Sequence, residues 1–573
     1  MPDDVPVNYD DFIPPDYSPE DEPPQDVAPA VETITEGIIP LGYDRDVFFY
    51  YSRAARQVIP LSAGHHSKNA LMALASVAHY WQRSIWVSDK GAIKWDEAVD
   101  HLMGECRQMG IFDTDRLRGR GAWLDNGRSV LHTGDKLIVD GEVSPLMLPG
   151  SVHVYEAAKS LSRLVAAPLA VREAHKLVGI CKRLRWETEV SGVLIAGFIA
   201  IAPICGGLAW RPSIWITGGA GSGKSWLMDN ILAPCLSGIA LHVASKTTES
   251  GLRQALGSDA LPVIFDEAER EDAASAARIQ GVLDLVRMAA SESGARIIKG
   301  SQNQSGAKVY KIRSSFAFTS INVGIEHQAD DSRVTVLTLR RPPTEPDAVE
   351  VENFKALAAD VLTTITPEFA AGLIARSARL LPIIRHNAEV FAQAFAIHAG
   401  SRRMGDQIGA LLAGAYSLHS DREITPDEAS EYVRRQSWGG GPVADTAERD
   451  EDRLLMTLME HRLRVAPGNG APVEASIGRL ITAAWGGDER LPRDVSEDEL
   501  RANGIRTDST AGIYISSTHP SIRRILAGTP WASRWSAALA RLAGAEAVKP
   551  IRFNPTHVAR ATWISRKVVE GGG

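Results

Sequence analysis

The sequence predicts an α/β chain whose central parallel sheet carries a phosphate-binding loop. Three observations carry that expectation. Ile214–Thr217 is apolar enough for a buried strand, and it runs into Gly218-Gly-Ala-Gly-Ser-Gly-Lys224-Ser225, which opens a helical run, Trp226 to Leu236. About 40 residues after Lys224, Leu261–Glu267 (LPVIFDE) is a second apolar strand, ending in paired acids. Ser315–Asn322 (SFAFTSIN) and Val334–Leu339 read as two further buried strands, without the in-and-out alternation of a half-exposed sheet.

Each residue type in the loop has a physical reason. Glycines let the backbone wrap a polyphosphate with its N–H groups turned inward. The following helix adds the positive end of its dipole. Gly218, Gly219, Ala220, Gly221, Ser222, Gly223, Lys224, Ser225 and Trp226 are therefore the expected ATP-binding stretch. Lys224 is placed for the β- and γ-phosphates, and the Ser225 hydroxyl for Mg²⁺. Asp266 is expected to hold the Mg²⁺ shell, and Glu267 to orient and polarise the attacking water. At the end of SFAFTSIN, Asn322 is the expected γ-phosphate sensor, with Ser320 the weaker alternative.

Composition bounds the rest. The chain has 573 residues, enough for three or four domains, and is 44% hydrophobic and 23% charged, which suits a globular protein. The most membrane-like stretch, Val190–Leu208, lacks charges, but its glycines, Ser191 and Pro203 suit a buried core helix better. No basic leader precedes the first apolar stretch, so no signal peptide and no membrane partner are expected. Cys106, Cys181, Cys205 and Cys235 form no CxxC pair, which argues against zinc or a disulfide framework and for a reducing cytoplasm. The net charge of −8 conceals an asymmetry. Residues 1–40 hold eleven acids and no Lys or Arg, so the remainder carries +3. Residues 501–573 hold eleven Lys or Arg against three acids, compatible with nucleic acid or with a solvated surface.

Taken in order, residues 1–40 are Pro- and acid-rich and read as a disordered tail. Residues 41–150 read as a small α+β domain: a hairpin from Asp46–Tyr51 and Arg53–Leu61, helices at Lys68–Trp81 and Trp95–Met109, then short strands at Gly119–Trp123, Ser129–Thr133 and Lys136–Gly141. Arg116, Arg118 and Arg120 beside Trp123 fit either phosphate contacts with base stacking or an ordinary charged loop. Residues 151–210 read as a helical collar, with Leu161, Leu164 and Val165 and then Leu177, Ile180, Cys181 and Leu184 at helical spacing.

Residues 211–345 are the expected ATPase core. Within it Ala240–Ala244 is a strand, Thr247 or Thr248 caps a helix through Leu252–Leu256, and Ala273–Ser291 is a helix. Ala295–Ser301 and Ala307–Arg313 flank Gln-Asn-Gln-Ser-Gly, a hairpin signal, and bring Arg296, Lys299, Lys308 and Lys311 with no acid. Arg333, just before the last strand, is suited to reach a neighbouring subunit's nucleotide as an arginine finger, or else to pair with Asp330 or Asp331. Residues 346–440 read as a helical lid, with Arg402 and Arg403 suited to a solvated face or to phosphate contacts, and Gly439–Ala447 as a linker. Residues 448–573 read as a winged-helix-like domain: helices at Asp452–Leu463, Glu474–Trp485 and Ser533–Leu542, then paired strands at Pro550–Phe553 and Ala559–Ser565.

The order GGAGSGKS, VIFDE, basic hairpin, FAFTSIN and SR-before-strand resembles the additional-strand P-loop ATPases of the AAA+ and superfamily-three helicase group. It is most similar to the ATPase part of phage and mobile-element primase–helicase proteins, over about residues 41–345. The stretches LGYDRDVFFYYSR, GIFDTDRLRGRGAW and IAPICGGLAWRPSIWITG carry the likeness, as do TTESGLRQALGSDALPVIFDEAE and IRSSFAFTSIN. That resemblance implies a homo-hexameric ring with ATP and Mg²⁺ between subunits and single-stranded DNA in the pore, with other replication proteins as possible partners. It makes Lys299, Lys308 and Lys311 of the hairpin the candidate DNA contacts, with Arg296 beside them. No zinc knuckle or polymerase-type acid cluster accompanies it, so priming is not expected. The expected activity is an ATP-driven DNA helicase or translocase. The alternative is an ATP-dependent DNA-binding assembly or loading factor that does not unwind.

Overall fold

The computed structural model describes residues 37–570, apart from 78–79, 162–165, 267, 269–271, 293–296, 300–307, 322, 324–329, 331, 344–346, 439–449, 467–471, 489, 509–510, 528, 530, 533 and 543. Glu267, Asn322 and Arg296 thus lie outside the described residues, as does nearly all of the acidic tail; Lys299 and Lys308 are described by their backbone alone.

Five parallel strands form the centre: β1 (Ser213–Thr217), β2 (Leu241–Val243), β3 (Val263–Phe265), β4 (Phe316–Thr319) and β5 (Val334–Thr338). Their order across the sheet is β2-β3-β4-β1-β5, so β4 is inserted between the loop-bearing strand and the acid-bearing strand. Ile214 lies beside Ala317, and Ala317 beside Ile264, so the C-terminal ends of β1, β3 and β4 come out side by side. Every residue of β1, β3 and β4 is buried, because helices cover both faces. Trp215 and Phe318 stack across β1 and β4 with ring centroids 4.9 Å apart.

The longest charge-free stretch behaves as a core element. Helix α1 (Val190–Ile201) is buried at all twelve positions, and Pro203 and Ile204 end its regular turn. Helix α2 starts at Lys224 (Lys224–Leu227), widens through Met228–Leu232, and closes at Ala233–Cys235, where Pro234 has no N–H to give the ladder. Helix α3 (Glu249–Leu256) is capped by Thr248, whose Oγ1 accepts from Gly251 N at 3.2 Å. Helix α4 (Ala273–Ala289) opens with a reciprocal capping box between Asp272 and Ser275.

After β5, helices run at Ala348–Thr364 and Pro367–Arg379, then α5 (Leu381–Ala399) and α6 (Arg402–Ser417), with Pro426–Arg434 last. α6 lies directly on α1. Gly197 and Gly414 sit at the crossing, where a Cβ on Gly414 would fall 2.3 Å from Gly197 O. Gln407 of α6 donates to Ser213 O at 2.8 Å and to Thr335 Oγ1 at 3.0 Å. α6 therefore holds the N-terminal ends of β1 and β5, the end away from the phosphate loop.

Several sequence expectations are corrected. The helix from Lys68 stops at Leu74, where Ala75 turns extended, and Trp81 falls in a short separate turn. Leu161 is not helical; the collar's helices begin at Val171 (Val171–Lys182). Residue 150 does not mark a break in packing: Trp123, Val130 and Leu137 share one core with Cys205 and Ala260. The N-terminal hairpin (Val47–Ser52 with Gln57–Ser62) has a third strand, Ile38–Asp44. In the C-terminal region, Glu474 lies in a strand (Val473–Ser476) rather than in the helix, which begins at Ile477. Ile505–Asp508 and Gly512–Ser516 join Ala545–Asn554 and His557–Ser565 in a four-stranded sheet.

Candidate functional site

The site lies where ligands of open parallel sheets lie, beyond the carboxyl ends of the strands. A cavity of about 760 Å³ opens there, lined by Ala220, Gly221, Lys224 and Ser225 on the loop side. Asp266, Thr319, Ser320 and Ile321 line its floor, and Ser245, Lys246, Asp272, Ser275 and Arg278 the far wall. The predicted site residues Ala220, Gly221, Lys224, Ser225 and Asp266 thus come together from two strands' ends.

The loop has the backbone its glycines allow. Gly218, Gly221 and Gly223 have φ of 149°, 77° and 94°. Any Cβ on Gly218 would come 2.5 Å from Leu339 O, so this position is closed to other residues. Lys224 Nζ lies 2.5 Å from Gly218 O and 3.3 Å from Gly219 O, across the loop. Ser222 Oγ is buried and has no hydrogen-bond partner among the described residues. A polar atom orphaned inside a glycine-rich loop fits an anion that brings acceptors of its own.

Asp266 is fixed before any ligand arrives. Thr319 Oγ1, one strand over on β4, donates to Asp266 Oδ1 at 2.6 Å, and Ala268 N donates to Thr319 O at 2.8 Å. Asp266 and Ser225 both line the cavity, a carboxylate and a hydroxyl whose hard oxygens fit Mg²⁺. Thr217 Oγ1 donates to Ile321 O at 2.8 Å and Trp215 Nε1 to Ser320 Oγ at 2.7 Å, tying the end of β4 to β1. Ser320's hydroxyl is thereby engaged.

Other predicted residues lie elsewhere. Trp226 does not line this cavity; its ring packs against Phe354, centroids 5.3 Å apart. Lys311 lies 3.7 Å from Asp115 at the base of the hairpin, whose strands Ile297–Lys299 and Lys308–Tyr310 pair antiparallel. The Arg116–Trp123 cluster is structural in two of its three arginines. Trp123 is buried between the Arg118 and Arg313 guanidiniums, and Arg120 makes a two-pronged ion pair with Asp259 at 2.6 and 2.9 Å. A buried indole cannot stack a base.

Arg333 sits just before Val334, and Val334 pairs with Ser213 at the start of β1. The phosphate loop starts after Thr217, at the other end of β1. Five residues of strand separate the two levels, roughly 17 Å. Arg333 therefore cannot touch the phosphates of its own loop. Around it, Asp330 is buried and lies 2.8 Å from Arg287 and 3.2 Å from Gln280. Burial lowers the Arg333 pKa first, and the nearby Arg403 and Arg287 charges lower it further.

Sequence reasoning missed Lys246, Arg278 and Arg341, the last packed so closely over Gly219 that a Cβ there would meet its Nε at 2.5 Å. None belongs to a motif, and only the fold brings them to the loop.

No family model matches the chain, and no curated protein does. Among solved structures, it is similar to the SCCmec type IV Cch active helicase, at 11% identity and a TM-score of 0.42, over 93% of this chain and 94% of that one. It is also similar to the apo C-terminal region of NrS-1, at 12% identity and a TM-score of 0.33, over 92% of this chain and 96% of that one. These likenesses concern the course of the chain alone.

Proposed function

We propose that this chain is an ATP-driven DNA helicase or translocase of phage or mobile-element replication, working as a ring. The single observation that carries the reading is the meeting of the glycine loop, Ser225 and a pre-fixed Asp266 at one sheet edge. Ser225 and Asp266 would hold Mg²⁺, which when bound would supply charge neutralisation at the phosphates. Lys224 and the loop amides hold the triphosphate in place, so catalysis is mainly positioning and electrostatics. Glu267, next in sequence to Asp266, takes the water-orienting role and Asn322 the sensor role. Arg333, too far from its own loop, serves the nucleotide of an adjacent copy. The basic hairpin from Ile297 to Tyr310 grips one DNA strand by its phosphates, independently of sequence.

The test is ATP turnover and strand displacement on forked DNA. Wild type should do both, with displacement weakening as salt rises. DNA-stimulated turnover without displacement would replace the helicase reading by that of a loading factor. No turnover under any condition would remove both.

A further inference from the structure

We infer that Arg278 is a γ-phosphate-contacting residue in its own chain's site, one that makes the cavity prefer nucleoside triphosphate over diphosphate. This deepens the ATP-site reading and rests on it. Arg278 stands on α4 facing the end of β2, and its side chain lines the cavity. Its Nε donates to Ser245 O at 3.0 Å, which fixes the guanidinium. That bond uses one of five N–H groups, and it is the one hydrogen bond of this side chain among the described residues. Both terminal nitrogens remain to meet two oxygens of a terminal phosphate. Lys246 lines the wall beside it.

The sheet order says which phosphate meets them. Loop amides after β1 cradle the α- and β-phosphates. The third phosphate extends towards Asp266 at the end of β3, two strands away, and β2 with Ser245 lies one strand further. A diphosphate ends short of that wall. Charge argues the same way. Asp266 and Asp272 add negative charge to a triphosphate, and Lys224 with one Mg²⁺ does not neutralise the sum. Lys246 and Arg278 are the cations on the far wall that offset most of what remains.

The experiment uses the full chain with Mg²⁺ and two fluorescent probes, a non-hydrolysable ATP analogue and ADP. Arg278→Ala should weaken the triphosphate analogue at least about tenfold and ADP by less than about twofold, with Arg278→Lys in between. A melting curve for each variant checks folding, and Lys246→Ala should shift the same ratio, more weakly. Equal weakening of both probes, or no change in either, overturns the assignment while leaving the site intact. If wild type binds neither probe, or Lys224→Ala binds as wild type does, the ATP-site reading itself fails.

Discussion

Thr319 Oγ1 donates a 2.6 Å hydrogen bond to Asp266 Oδ1 across the boundary between β4 and β3. The bond exists because β4 is inserted beside the acid-bearing strand, with Phe318 paired to Phe265. It holds the carboxylate's orientation at the cavity. Replacing Thr319 by Val keeps the shape and removes the donor. The expected outcome is a roughly tenfold loss of apparent Mg²⁺ affinity in ATP turnover, with the fold unchanged, as partners of ligating carboxylates give. Unchanged Mg²⁺ dependence would show that the bond does not set the site.

Lys224→Ala and Glu267→Gln separate binding from turnover. Both should abolish ATP hydrolysis, but the second should retain bound nucleotide, because it loses the group acting on water and keeps the cradle. Nucleotide retention after gel filtration distinguishes them. Appreciable turnover by either variant contradicts the assignment.

The α1–α6 crossing predicts a stability effect. A Cβ on Gly414 meets Gly197 O at 2.3 Å and Ile201 Cγ2 at 2.7 Å, and neither backbone can withdraw without moving a buried helix. Gly414→Ala should cost roughly 1–3 kcal/mol, read from urea unfolding. No loss would mean that the helices separate easily.

His132 predicts acid sensitivity. It is fully buried; Nδ1 accepts from Gly134 N at 2.9 Å, and Nε2 lies 2.9 Å from Glu156 O. Burial pushes its pKa down to about 4. The unfolded chain, with a pKa of about 6.5, binds the proton first. Stability is therefore full above about 6.5 and falls as pH drops towards 4, by roughly 3 kcal/mol for this group. Melting from neutral pH to about 4.5 should show the loss, and His132→Gln should flatten the slope. An unchanged slope would place the sensitivity elsewhere.

Much of the centre was legible in the sequence because local and long-range signals agree there. Ser213–Thr217 is buried on both faces and so reads as an uninterrupted apolar run; the loop glycines are fixed by their spacing; Thr248, one of two candidate caps, opens its helix. What was not legible depends on the third dimension. Trp123 beside three arginines looks like a stacking platform, and only the packing of Arg118 and Arg313 on its faces shows it to be core. Gly119 and Gly121 belong to a close approach to Asp259 and Ala260, more than a hundred residues away. The helix at Lys68 reads too long in the sequence because apolar periodicity continues past Ala75, where the backbone turns extended. Arg278 carries no motif at all.

The most direct measurement mixes two inactive proteins. Lys224→Ala lacks the cradle's cation but keeps Arg333; Arg333→Ala lacks the arginine but keeps the cradle. In a head-to-tail ring, random mixing joins a sound loop to a sound arginine at up to about a quarter of the interfaces. The account predicts that the equimolar mixture recovers ATP turnover towards that fraction of wild type while each variant alone stays inactive. A mixture as inactive as its components, or an Arg333→Ala variant that hydrolyses ATP unaided, would contradict it.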